Sequence, residues 1–230
     1  DKPRLVALWM VRAGRLTLNV LAVFLLALSV RSGAAMRVLL VTGANKGIGL
    51  AIAKNALRAA DDTHVILASR SLERGDEARA KIIAELGAAV RERIETLELD
   101  VGDAASVLRA RDQVAARHAE LYAMVNNAGV ALDMPWCPKP FAPSVARETL
   151  ATNFQGAVNC CEAFVPLLRK AGRVVNVSSG GGLMNTQRMS AEKRAWLLRE
   201  DLTLEELQGA VQEFTGEYEA GASKADAGVR

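Results

Sequence analysis

The stretch Val38-Leu39-Leu40-Val41-Thr42-Gly43-Ala44-Asn45-Lys46-Gly47-Ile48-Gly49 constrains this chain most: an apolar run of strand character breaks into glycines and then opens a helix-like segment. A short apolar run without polar alternation suits a strand covered on both faces, as in a parallel sheet flanked by helices. The glycines lack a Cβ, so backbone N–H groups there can approach a phosphate closely. Gly43 permits a sharp turn at the strand end, Gly47 close approach to a pyrophosphate, and Gly49 close packing of the following helix. The spacing is T-G-x-x-x-G-x-G, with Asn45, Lys46 and Ile48 filling the turn. It predicts a dinucleotide site on a doubly wound, Rossmann-type parallel α/β sheet.

From Ile48 to Ala60 the apolar residues Ile48, Ile52, Ala56 and Ala59 recur at helical spacing, and Val65-Ile66-Leu67-Ala68 reads as a second buried strand. At the end of that strand, about 20 residues past the glycines, a site for NADH would carry Asp or Glu for the ribose 2′-OH. Here stand Ser69 and Arg70. An acid would repel a 2′-phosphate, whereas a guanidinium pairs with it through two charge-assisted hydrogen bonds. Lys46 adds a second cation, so the sequence favours NADPH.

Further along, Leu72 to Leu86 reads as a helix with a charged face, and Arg93 to Leu99 as a strand leading to Asp100-Val101. Asp103 to His118 is a helix with Asp103 as N-cap. Met124-Val125-Asn126-Asn127-Ala128-Gly129 is a strand running into N-N-A-G. Pro135, Pro138, Pro140 and Pro143 bar a helix from the next loop. Val145 to Leu168 is one long helix pattern, and Arg173 to Ser179 a strand ending in hydroxyls. Ser190 to Glu200 and Thr203 to Tyr218 both read as helices, the second opening on a Thr203-x-x-Glu206 capping box.

The glycine turn and N-N-A-G together resemble the short-chain dehydrogenase/reductase family, and the downstream residues narrow the resemblance to NADPH-dependent carbonyl reductases. It covers Met36 to about Gly221. The resemblance implies that Asp100 and Val101 contact the adenine, although a strand-ending Asp that starts the next turn reads the same way. It implies that in N-N-A-G the amide side chains, Asn127 among them, brace the sheet end and that the small residues Ala128 and Gly129 leave room for the cofactor. It also implies that Asn153, in T-N-F-x-G, holds a water in a proton relay, and that Ser179 donates to the substrate carbonyl. Trp136 and Phe141 would border the substrate, or else anchor the loop. The substrate class implied is a small aldehyde, ketone or quinone. The inserted helical segment, about residues 185–218, is similar to one that covers an association surface in monomeric members, so a monomer is implied; a solvated helical lid is the other reading.

In that family a tyrosine supplies the proton and a lysine four residues later lowers its pKa and binds the nicotinamide ribose. Here Lys224 is preceded at that spacing by Ala220, and Tyr218 lies six residues before it. Either Ala222-Ser223-Lys224 is a damaged motif in a non-catalytic NADPH-binding paralogue, or Gly228-Val229-Arg230 approaches a motif further on. The second alignment is favoured because the insert match runs unbroken through Gly221 and the last strands of the sheet are also missing.

With 230 residues, half of them hydrophobic, the chain can bury one sizeable core, and one dinucleotide-binding domain is expected over residues 36–230. The formal charge is +3, but Lys2, Arg4, Arg12, Arg15 and Arg31 against Asp1 leave the remainder at about −1. No basic footprint for nucleic acid remains. Residues 1–35 hold the apolar run Leu16 to Val30 behind arginines and before Ser32-Gly33-Ala34-Ala35. Three readings stay open: a cleaved targeting peptide, a membrane anchor, or upstream sequence joined to a gene that starts at Met36, in which case the protein is cytoplasmic. Cys137, Cys160 and Cys161 have no C-x-x-C spacing, and His64 and His118 read as satisfied or solvated, so no metal site is expected. No strand or glycine motif needs residues 1–35. A chain begun at Met36 is therefore expected to stay soluble with an unchanged thermal midpoint; failure to fold without the segment would refute this.

Overall fold

The computed structural model describes residues 36–132, 137 and 142–226. The N-terminal extension, Trp136 and Phe141 lie outside them. Strands β1 (Arg37–Val41), β2 (Thr63–Ser69), β3 (Ile94–Glu98), β4 (Leu121–Asn126) and β5 (Leu168–Asn176) form a sheet in the order β3-β2-β1-β4-β5, with every pairing parallel. The helices that follow are α1 (Gly47–Ala59), α2 (Leu72–Leu86), α3 (Ala104–Arg117), α4 (Val145–Leu150), α5 (Gly156–Phe164), α6 (Gly180–Arg188), α7 (Ala191–Leu197) and α8 (Leu204–Asp226).

Alternation along β1 explains the layers. Leu39 and Val41 face a cluster with Ile52, Ala53, Ala56 and Leu57 of α1 and Ala78 and Ile82 of α2. Val38 and Leu40 face the opposite cluster, with Val107, Ala110 and Val114 of α3 and Cys160, Ala163 and Phe164 of α5. Leu40 and Ile66 are wholly buried, each contributing about 1.5–3 kcal/mol of burial free energy. This is the expected doubly wound α/β fold.

The chain divides into two compact units, one running to Ala128 and resuming over Gln155–Ser178, the other comprising Gly129–Phe154 and Ser179 onward. Both core clusters lie in the first. In the second, α8 is joined to α4 by a two-toothed ion pair, Arg147 to Glu219 at 2.8 and 2.6 Å. The Thr203–Glu206 capping box is formed, with Glu206 Oε2 accepting from Thr203 N at 2.9 Å and Thr203 Oγ1 from Glu206 N at 3.2 Å. The bond from the Thr203 amide, with help from Arg199, holds the Glu206 carboxyl down at about 2.

Three local expectations are corrected. The helix expected over Val145 to Leu168 is broken by a π-helical turn at Ala151–Gln155 and ends in a 3₁₀ turn, Val165–Leu167. β5 starts at Leu168 rather than Arg173, because pairing passes from Leu121↔Leu168 to Ala123↔Arg173 across a bulge in which Ala171 takes φ 64°. The helix α6 was missed because Gly180, Gly181 and Gly182 are poor helix formers; Ser179 Oγ caps it by accepting from Gly181 N at 3.1 Å. The helix expected from the recurrence of Ile48, Ile52, Ala56 and Ala59 is present as α1; Ile52 and Ala56 are buried on it with Gly49, Ala53 and Leu57, while Ile48 and Ala59 are exposed.

Among the described residues no helix is long and apolar enough to cross a membrane. One guanidinium closes the C-terminal end of α1: Arg93 Nη1 donates to the carbonyls of Leu57, Ala60 and Thr63 at 3.3, 3.1 and 3.3 Å. Removing it takes the side-chain donor from the Leu57 carbonyl, one of the last-turn carbonyls that α1 cannot satisfy itself. Arg93→Met is expected to cost about 1.5–3 kcal/mol, read as a lower urea midpoint at unchanged slope.

Candidate nucleotide site

The glycine turn leaves the carboxyl end of β1, at the point where strand order reverses between β1's neighbours β2 and β4. Open α/β sheets bind ligands at such switch points. Gly43 and Gly47 have φ of 63° and 57°, in the left-handed region that favours glycine. Gly49 is required for a different reason: a Cβ there would stand 2.4 Å from Asn127 Nδ2 and 2.5 Å from the Gly43 carbonyl oxygen. A Cβ on Gly43 would come within 2.8 Å of Ala128 Cα.

Asn127 and Ala128 are thereby pressed against the turn, and hydrogen bonds fix them there. Thr42 Oγ1 accepts from Asn127 N and Ala128 N, both at 3.0 Å. Asn127 Nδ2 donates to the carbonyls of Thr42 at 2.9 Å and Gly43 at 3.2 Å. Asn126 Nδ2 donates to Asn176 Oδ1 at 2.9 Å, so the amides do brace the sheet end. Thr42 had no role in the sequence reading. Its place directly before the first glycine was the available signal.

Helix α1 opens with no side-chain cap and no acidic residue in its first turn. Its free N–H groups and positive dipole end therefore present an anion site. Asn45 and Lys46 sit in the turn and Ile48 in the first turn of α1, and Lys46 is exposed. At the end of β2, Ser69 is 1 % exposed and its Oγ accepts from Ser71 N at 3.4 Å, while Arg70 is exposed. No ion pair engages Lys46 or Arg70 among the described residues. The crowded glycines, the uncapped helix and two uncommitted cations fit a phosphorylated dinucleotide.

After β3, Asp100 Oδ1 accepts from Gly102 N at 3.0 Å, a local turn that serves the chain itself. Val101 is buried, and a Cβ on Gly156 would come within 2.7 Å of its Cγ2. Burial pushes the Cys160 thiol up to about 12, with the neighbouring Cys161 adding to the shift, so this cysteine is no nucleophile.

In the other unit, Asn153 lies in the π turn and spends its amide on one residue: Oδ1 accepts from Val130 N and Nδ2 donates to Val130 O, each at 2.8 Å. It clamps the loop that begins at Gly129. Ser179 is exposed, and its Oγ, although it caps α6, keeps its proton free to donate. Tyr218, Ala220 and Lys224 all fall within α8. At about 3.6 residues per turn a spacing of four brings positions onto one helix face, whereas the six between Tyr218 and Lys224 does not.

The contact at Gly49 sets a prediction. Gly49→Ala is expected to cost about 1–3 kcal/mol in urea unfolding and to abolish nucleotide binding, because the Gly43 and Ala44 backbone as well as the hydrogen-bonded Asn127 amide must move. Gly209, in α8 with nothing within 4 Å of an added Cβ, is the control. Gly209→Ala is expected to be neutral or to stabilise by up to about 1 kcal/mol.

The family model for short chain dehydrogenases matches residues 37–191. Carbonyl reductase (NADPH) 1 of Macaca fascicularis is 37 % identical over 186 residues, covering 81 % of this chain and 64 % of the relative. Carbonyl reductase (NADPH) 3 of Rattus norvegicus is 36 % identical over 178 residues, covering 77 % of this chain and 61 % of the relative. The chain thus spans under two thirds of the length of these curated relatives. Among solved structures, menthone neomenthol reductase from Mentha piperita superposes with a TM-score of 0.72 at 31 % identity, over 84 % of this chain and 77 % of that one. A glycine cradle built for a nicotinamide dinucleotide, a parallel sheet in the order β3-β2-β1-β4-β5 and these matches lead to one conclusion: the chain belongs to the short-chain dehydrogenase family.

Proposed function

We propose that the full-length protein reduces small carbonyl compounds (aldehydes, ketones or quinones) with NADPH as the reductant. The observation that carries this reading is the uncapped α1 cradle with Lys46 and Arg70 exposed beside it and no acidic residue at the end of β2. The similarity to proteins named NADPH carbonyl reductases supports it.

In the proposed complex the turn from Gly43 to Gly49 and the N–H groups of α1 receive the pyrophosphate. Arg70 and Lys46 hold the 2′-phosphate by charge-assisted hydrogen bonds. When bound, NADPH supplies the hydride that goes to the carbonyl carbon. Ser179 donates its hydroxyl proton in a hydrogen bond to the carbonyl oxygen and orients it. A serine hydroxyl is too weak an acid to give that proton up at neutral pH, so a separate acid must protonate the oxygen. In the family pattern that acid is the tyrosine of Tyr-x-x-x-Lys, which this sequence does not hold in register. Trp136 and Phe141 are proposed to border the carbonyl substrate, and the helical insert to keep the protein a monomer.

Ala220 at the tyrosine's spacing favours a second reading, a non-catalytic protein that binds NADPH as a sensor. The two share the cofactor and differ in turnover. The 230-residue chain is expected to bind NADPH more tightly than NADH, and Arg70→Asp to weaken NADPH binding roughly ten- to hundredfold by fluorescence titration. Equal affinities for the two cofactors in the unmodified chain would overturn the choice. Following nicotinamide absorbance with a quinone, the chain as given should show little turnover. Extension by a family-like segment carrying Tyr-x-x-x-Lys should restore it, and no gain on extension would favour the sensor. In the extended form Ser179→Asn keeps a helix cap but no hydroxyl, and is expected to lose most turnover.

A further inference from the structure

The chain contains two histidines, and the fold brings both to one carboxylate. His64, the second residue of β2, lies on the same face of the sheet as Ile66, which is paired with Glu95 of β3. That face is covered by α3, whose buried residues Val107, Ala110 and Val114 pack on it, and His118 is the C-cap of the same helix. Strand parity and helix length thus deliver His64, Glu95 and His118 to one place from positions far apart in sequence. It lies at the amino ends of the strands, the opposite end of the sheet from the glycine turn.

The donor atoms converge. His118 Nε2 lies 2.5 Å and His64 Nε2 3.5 Å from the same oxygen, Glu95 Oε1, and all three ligand atoms are within 4.8 Å of one another. The imidazoles are 17 % and 15 % exposed for His64 and His118, and the carboxylate 24 %. A tetrahedral ion with bonds of about 2.0–2.2 Å sets its ligands about 3.3–3.6 Å apart, a spacing that small side-chain rotations reach from here.

Hydrogen bonding alone does not account for the cluster. His64 Nε2 is buried, points toward Glu95 and makes no hydrogen bond among the described residues. Glu95 Oε2 is already taken by Arg117 Nη1 at 2.8 Å, and Arg117 is itself fixed by donating to Gln113 O at 3.1 Å. That arrangement leaves Oε1 as a single oriented ligand, with Arg117 as its outer support.

We propose that His64 Nε2, His118 Nε2 and Glu95 Oε1 bind a zinc-class divalent cation, with the fourth position open to water. Two imidazoles and one carboxylate form a donor set suited to zinc, and the soft thiols of Cys137, Cys160 and Cys161 take no part in it. The cation ties β2, β3 and the end of α3 together, at a distance from the nucleotide end that assigns it to stability rather than to hydride chemistry. A cation here departs from the expectation that the histidines are merely satisfied or solvated, which the hydrogen-bond distance from His118 to Glu95 meets on its own.

The test uses the full chain, stripped with a chelator and titrated with Co²⁺ and with Zn²⁺. Co²⁺ is expected to give the visible bands of tetrahedral coordination at one equivalent, without the near-ultraviolet thiolate bands that binding at cysteine would add. Zn²⁺ is expected to raise the thermal midpoint and to protect both histidines from carbethoxylation by diethyl pyrocarbonate. His118→Ala and, separately, Glu95→Gln are expected to weaken Zn²⁺ binding at least about tenfold while NADPH binding is unchanged. The unmodified chain keeps the proposal testable should either variant fail to fold. Zn²⁺ binding that leaves both histidines unprotected, thiolate bands, no saturable binding, or undiminished affinity in a folded variant would each overturn the site.

Discussion

One hydroxyl holds the carboxyl end of the sheet in register. Thr42 Oγ1 receives the amides of Asn127 and Ala128, residues some 85 positions further along the chain. With β1 and β4 locked at that height, Asn127 reaches back to the Thr42 and Gly43 carbonyls, and no atom larger than hydrogen fits between Asn127 and the start of α1. Gly49 and Gly43 are then consequences of the junction, since the same close approach excludes a Cβ from both. A cradle made this way is rigid before a ligand arrives, so little ordering cost falls on binding.

Much of this was legible in the sequence, because burial in a parallel sheet leaves a strong signal. Leu39, Leu40 and Val41 had to be covered on two sides, and they are. The helix Leu72–Leu86 and the caps Asp103 and Thr203 also stand where local chemistry put them. What escaped was set by tertiary contact. The π turn that carries Asn153 has no composition of its own, and the β5 bulge places Ala171, not the adjacent Gly172, at positive φ. Gly172 is hemmed in by Leu168 and Arg169, so the bulge takes its shape from neighbours rather than from intrinsic preference. The histidine cluster was invisible for a similar reason: His64, Glu95 and His118 share no motif and meet only once β2, β3 and α3 are assembled.

The two units are held by different forces. The first rests on two apolar clusters, one on each side of the sheet. The second relies on caps and on ion pairs such as Arg147–Glu219, whose arginine is 70 % exposed. Exposed pairs contribute only about 0–1 kcal/mol. Regions with little apolar burial open at low free energy and are where loops that admit ligands are usually found. Asn153 and Ser179 belong to that unit, whereas the glycine turn belongs to the stiff one.

The opposite ends of the strands carry separate chemistries. At the amino ends, Tyr122 is enclosed with the guanidiniums of Arg37, Arg169 and Arg173 4.3 to 5.6 Å from its ring centre, and His64 lies nearby in sequence register on β2. From His64 to Ser69 at the carboxyl end is five residues of extended chain, about 16 Å. Free-energy changes at sites so far apart, with no shared partner, normally add. The sheet thus acts as an insulator: one end can drift or be redesigned while the other keeps its geometry, and departure from additivity between them would measure how stiffly the strands connect the two.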